Sequence, residues 1–270
     1  MSDNIRAMSG IKAIAAMFAG ASEQDRAAFL PYFPIGYPDY AASLDAITTM
    51  AEVGVDGFEI GMPFSDPLAD GPTIQAATQR ALENGTTAAS CLLAVRDLRE
   101  RGISQPMLLM GYLNPILAYG IEAFVQEAKA AGADGLIVPD LPPEEAADLA
   151  NVCAREGLAL VFFLAPTSSP ERIRLVADNA TGFIYVVSLT GITGVRSALP
   201  EGLTRFIERV RAETDQPLVL GFGISQPEHA RAMNGLVDGF IVGSALVRAG
   251  DEGVKAVRSL ASSLRMALDG

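Results

Sequence analysis

Lysine is scarce in this chain of 270 residues: Lys12, Lys129 and Lys255 are the whole supply, each in a stretch with helical spacing. A Schiff-base aldolase therefore lacks the strand-end amine that its chemistry needs. Histidine is scarcer still. His229 stands alone on an expected outer helix, where it reads as a solvated side chain. That leaves neither a His-based metal site nor a Ser-His-Asp triad. Cys91 and Cys153 lie in amphipathic stretches without metal-ligand spacing and read as buried free thiols of a reducing compartment. The longest apolar runs, such as 158–165, fall short of the roughly 20 residues that cross a bilayer. The opening Met1-Ser2-Asp3-Asn4 lacks the basic start and apolar run of an export signal, so the expected location is the cytoplasm. Cationic charge is short as well: 20 Lys and Arg face 32 Asp and Glu, for a net charge of -12 and a pI near 4.5. This balance argues against nucleic acid or an anionic membrane as the main partner. It leaves open a small anionic ligand held by backbone amides.

What the chain does have is alternation. Short apolar runs at 29–35, 55–61, 106–110, 134–138, 160–164, 183–188, 217–220 and 240–242 read as strands. Between and after them, 42–52, 86–101, 121–131, 143–155, 170–179, 203–213, 227–235 and 253–268 carry helical spacing. A further helical stretch, 5–19, precedes the first strand as a cap. Strands alternating with helices imply parallel pairing through right-handed crossovers, and eight such units close into a (β/α)8 TIM barrel. The length suits one such domain, with the cap inside residues 1–20 and the barrel over 29–268. An open doubly wound sheet is the runner-up. Its dinucleotide fingerprint is missing, because the first strand ends Ile35-Gly36-Tyr37-Pro38.

A weak repeat runs through the even-numbered strands. Val55-Asp56-Gly57-Phe58, Ala133-Asp134-Gly135-Leu136 and Val237-Asp238-Gly239-Phe240 open the second, fourth and eighth, and Thr181-Gly182-Phe183 opens the sixth. Three positions after the shared Asp or Thr stand Ile137, Ile241 and Ile184, but in the second strand Glu59. A carboxylate among isoleucines is out of place for packing, and no expected strand holds a Lys or Arg to pair with it. Desolvation should raise its pKa until it can both give and take a proton near neutrality. Asp66 and Asp70 follow in the next loop. Asp70 precedes Gly71-Pro72, so it is as well suited to capping a helix as to chemistry.

A second constellation is rich in glycine. Thr190-Gly191-Ile192-Thr193-Gly194, Gly221-Phe222-Gly223-Ile224-Ser225 and Gly243-Ser244 follow the sixth, seventh and eighth strands. Loops of this kind, with a short helix beginning at Ser244, suit a phosphate held by backbone N–H groups; tight turns without a ligand are the plainer alternative.

Glu59-Ile60-Gly61-Met62-Pro63-Phe64-Ser65-Asp66-Pro67-Leu68-Ala69-Asp70-Gly71-Pro72 closely resembles the signature of the tryptophan synthase alpha subunit family. Pro139-Asp140-Leu141-Pro142 and the three glycine-rich loops match in the same order, so the resemblance spans about 29–247. It implies a lyase that splits indole-3-glycerol phosphate into indole and glyceraldehyde 3-phosphate, with Glu59 and Asp70 at the positions of the catalytic acids. It further implies Gly194, Gly223, Gly243 and Ser244 at the phosphate, and Tyr32, Tyr112, Tyr185, Thr193 and Phe222 around the substrate. Tyr185 is ambiguous, because the repeat aligns it with Ile60 rather than Glu59. The family implies a beta-subunit partner, in an alpha2-beta2 complex, that carries pyridoxal phosphate and receives the indole. This chain would then need no cofactor or metal of its own, and 62–70 would face the partner.

Overall fold

The computed structural model describes residues 8–187, 201–221 and 223–269. Eight strands, β1 Ala28–Pro34, β2 Phe58–Gly61, β3 Met107–Met110, β4 Gly135–Ile137, β5 Ala159–Leu164, β6 Ile184–Val187, β7 Leu218–Gly221 and β8 Gly239–Val242, close into a barrel in chain order. Every pairing is parallel, and β8 returns to β1. The expected TIM barrel is therefore the observed one. Around it run α1 Ile11–Ser22, α2 Tyr40–Val53, α3 Pro72–Glu83, α4 Ala88–Glu100, α5 Leu113–Tyr119 and α6 Ile121–Ala131. The second half adds α7 Ala147–Glu156, α8 Pro170–Asn179, α9 Glu201–Arg211, α10 Pro227–Arg231, α11 Ser244–Glu252 and α12 Val254–Met266.

Several boundaries differ from the sequence reading. The stretch 143–155 divides into a 3-10 turn, Pro143–Glu145, and α7, because Ala146 turns its N–H back to Pro143. The stretch 227–235 stops being helical after Arg231. The unforeseen α5 tolerates Pro115 because it lies in the first turn, where an N–H is unneeded. Its Leu113 N–H instead meets Asp140 Oδ1 at 2.9 Å, which gives the Pro139-Asp140-Leu141-Pro142 loop a capping task. His229 is half-buried rather than solvated, and its Nδ1 has no hydrogen-bond partner among the described residues.

The repeat in the even-numbered strands has a mechanical basis at the barrel's N-terminal end. Asp56 accepts the Phe29 N–H at 2.8 Å, Asp134 accepts Met107 at 2.9 Å and Asp238 accepts Leu218 at 2.6 Å. Each Asp returns its own N–H to the carbonyl of the same residue. Thr181 does likewise through Oγ1, 2.8 Å from the Leu160 N–H. An N–H in the first two residues of one strand is thus clipped to the residue leading into the next. Arg26, Arg99 and Arg211 neutralise the three carboxylates. Helix α1 closes this end, with Ile14, Met17 and Phe18 buried and the Gly10 N–H 2.6 Å from Asp134 Oδ1. A cleft of about 290 Å³ opens beside it, but its arginines, Arg26 and Arg211, are already held by Asp56 and Asp238.

The sixth strand breaks the repeat's register. From Leu160 to Phe162 the β5 side takes two steps, while from Thr181 to Ile184 its partner takes three. The extra residue is accommodated at Gly182, whose φ of 85° is open to glycine. Ile184 consequently turns toward the helices, where it is buried, and does not align with Glu59. Tyr185 turns inward.

Candidate active site

The C-terminal ends of the strands gather the chemistry. Glu59 pairs in register with Tyr32 on one side and Leu108 on the other, so all three side chains share the barrel's inner face. Tyr185 pairs with Phe163 and Val219 on that same face, which corrects its alignment with Ile60. Its ring stacks on Phe163 with centroids 4.7 Å apart.

Two glycines make room for these rings. A methyl group at position 61 would come within 2.5 Å of the Tyr32 hydroxyl oxygen, and one at position 221 within 2.1 Å of the Tyr185 ring. Small residues at the ends of β2 and β7 thus admit large side chains from β1 and β6. The glycine at 221 belongs to the phosphate-type motif in sequence, but here it serves an aromatic wall.

Glu59 is 2 % exposed, and no ion pair among the described residues includes it. Burial first, and then the charge of Asp70, pushes its pKa up to about 8. Asp70 is half-buried, and burial lifts it to about 6 even though a hydrogen bond from Tyr112 opposes the rise. The Tyr112 hydroxyl accepts the Ala69 N–H at 2.9 Å and donates to Asp70 Oδ2 at 3.0 Å. That bridge fixes the loop, and α3 takes Gly71 as its N-cap without a side-chain cap bond. Asp70 is therefore free of the capping task that the sequence left open. Asp66 stays near the surface, where it accepts the Ser65 hydroxyl at 2.6 Å.

The described part of the glycine-rich cluster lies at the same end. Gly243 is the N-cap of α11 and makes no side-chain cap bond, so Ser244 begins a nine-residue helix with open N–H groups. Gly223, with φ 79°, follows β7. Thr193, Gly194 and Phe222 lie outside the described residues. Phe64 was missed by sequence reasoning: its ring lies 5.2 Å from that of Tyr112. Phe163 was missed too, although its place in the apolar 160–164 run offered a signal. Among the described residues, no three His, Cys, Asp or Glu side chains are grouped to hold a metal ion. No helix among them is long and apolar enough to cross a membrane.

A family model described as the tryptophan synthase alpha chain matches residues 18–267. The chain belongs to that family. Among relatives, the tryptophan synthase alpha chain of Chloroflexus aggregans is 51 % identical over 85 % of this chain and 86 % of its own length. That of Dehalococcoides mccartyi is 46 % identical over 91 % and 97 %. Among solved structures, Mycobacterium tuberculosis tryptophan synthase superposes with a TM-score of 0.90 at 38 % identity, covering 95 % of this chain and 98 % of that one. The Legionella pneumophila alpha subunit gives 0.88 at 35 % identity, covering 97 % and 99 %. Tryptophan synthase alpha chains are lyases of tryptophan biosynthesis that cleave indole-3-glycerol phosphate and work with a beta subunit.

Proposed function

We propose that Glu59 and Asp70 carry out the alpha-chain cleavage, with Glu59 as the proton carrier. The observation that supports this most is a buried Glu59 raised to about 8 beside an Asp70 raised only to about 6. At neutral pH the first holds a proton and the second is mostly ionised, which separates their roles. Glu59 gives its proton to indole C3 as the nitrogen lone pair moves into the ring, forming an indolenine. The bond from C3 to the side chain then breaks, its electrons restore the indole, and the carbinol becomes an aldehyde. The proton leaving that hydroxyl returns to the Glu59 carboxylate, which closes the cycle. Asp70 faces the ring N–H and stabilises the positive charge that develops there.

Gly223, Gly243 and Ser244, with Gly194, hold the phosphate through backbone N–H groups; the uncapped start of α11 supports this. Tyr32, Tyr112, Tyr185, Thr193 and Phe222 line the substrate space. The chemistry calls for two carboxyl groups and nothing more, so we assign this chain no cofactor and place pyridoxal phosphate on the beta subunit. The loop from Met62 to Asp70, where Leu68 is 93 % exposed, faces that partner in an alpha2-beta2 complex that passes indole across. A cytoplasmic location fits this role.

The test is indole release from indole-3-glycerol phosphate by the purified chain and by its Glu59→Gln and Asp70→Asn variants. Both variants should lose nearly all turnover, and Glu59→Gln cleaving at the wild-type rate would refute the assignment. Adding beta subunit should raise the wild-type rate; an unchanged rate would refute the coupling.

A further inference from the structure

Tyr32 is placed for more than lining a pocket. Its ring runs between two landmarks. The root of the side chain lies beside Gly243, where a methyl would come 3.4 to 3.7 Å from Cδ1, Cβ and Cγ. The tip lies over Gly61, where a methyl would meet the hydroxyl oxygen at 2.5 Å. One end is therefore at the start of α11 and the other at the end of β2, close enough to Glu59 to feel its charge.

A phenylalanine would fill this wall equally well, so packing alone does not call for the hydroxyl. The Tyr112 hydroxyl is used within the protein, with one hydrogen bond accepted and one donated. The Tyr32 hydroxyl makes no hydrogen bond with another described residue, and it is not among the polar atoms sealed in without a partner, of which His229 Nδ1 is the one among the described residues. Burial and the charges of Asp70 and Glu59 hold it well above the usual phenol range, so it stays a donor. Besides Glu59, the titratable groups that act on Tyr32 are Asp70, Tyr112 and Cys91, and Tyr185 feels Glu59 and Asp70 as well.

We propose that the Tyr32 hydroxyl is a specificity-determining contact that hydrogen-bonds the hydroxyl-bearing three-carbon tail of the substrate. This rests on the functional reading above. If the phosphate sits at Gly243 and Ser244 and indole C3 at Glu59, the linking carbons must lie along Tyr32. The contact selects a tail with hydroxyl groups over one without them.

The test compares wild type with Tyr32→Phe using two ligands. One is indole-3-glycerol phosphate, read as kcat/KM. The other is indole-3-propanol phosphate, the same skeleton without the tail hydroxyls, read as an inhibition constant. The variant should lose about two- to tenfold in kcat/KM, the range of one neutral hydrogen bond, and keep its inhibition constant within about twofold. Equal losses with both ligands would make Tyr32 a packing surface and overturn the proposal, as would no loss with either. A wild-type chain that releases no indole would instead refute the functional reading, so the two failures are separable.

Discussion

Replacing Glu59 by Gln should make the protein more stable as it removes the chemistry, and the gain should depend on pH. The folded chain keeps the Glu59 proton until about pH 8, whereas the unfolded chain releases it near 4.5. Between those limits the folded state binds more protons than the unfolded one, so wild-type stability falls as pH rises and levels off above about 8. Each pH unit in that window is worth about 1.4 kcal/mol for one proton. Glutamine does not titrate, and its own packing cost is the same at every pH. The difference between variant and wild type should therefore grow by about 3–4 kcal/mol from pH 5 to pH 8. Urea unfolding of both proteins at pH 5, 6, 7 and 8 measures it. A flat difference would mean that Glu59 is ionised in the folded chain by a hidden cation, and the acid–base assignment would fail with it.

The pH dependence of kcat/KM should be a bell, falling below about 6 as Asp70 takes a proton and above about 8 as Glu59 loses one; a single limb would refute the division of roles. Gly221→Ala should drive the Tyr185 ring from its place, costing about 1–3 kcal/mol of stability and most of the activity. As a control, Gly20→Ala in α1, where a methyl meets nothing within 4 Å, should stabilise by about 0.5–1 kcal/mol and leave turnover intact. Asp134→Ala strips an acceptor from Gly10, Met107 and Arg99 at once, and should destabilise by about 3–5 kcal/mol in urea unfolding without moving the pH profile.

The barrel was legible because each strand is a short apolar run between helical patterns, and that alternation permits few topologies. Glu59 was legible for a related reason: a charge at a position that packing fills with isoleucine in Ile137 and Ile241 announces itself. The direction of Tyr185 was not. One extra residue at Gly182 shifts the face of everything after it, and a Thr-Gly-Phe motif gives no count of steps on the neighbouring strand. The repeated Asp residues were visible, but their task was hidden, since the Phe29, Met107 and Leu218 N–H groups they accept lie on other strands. Gly221 carries the same lesson. In sequence it belongs to a phosphate motif, and only the approach of Tyr185 from β6 explains why it must be small.

In the resting protein at pH 7 the Glu59 carboxyl is neutral. Carbon-13 NMR of glutamate labelled at the side-chain carboxyl, with the resonance assigned by its loss in Glu59→Gln, titrates that group directly. A midpoint near 8 is expected. A midpoint near 4.5, the ordinary glutamate value, would contradict the claim and the mechanism built on it.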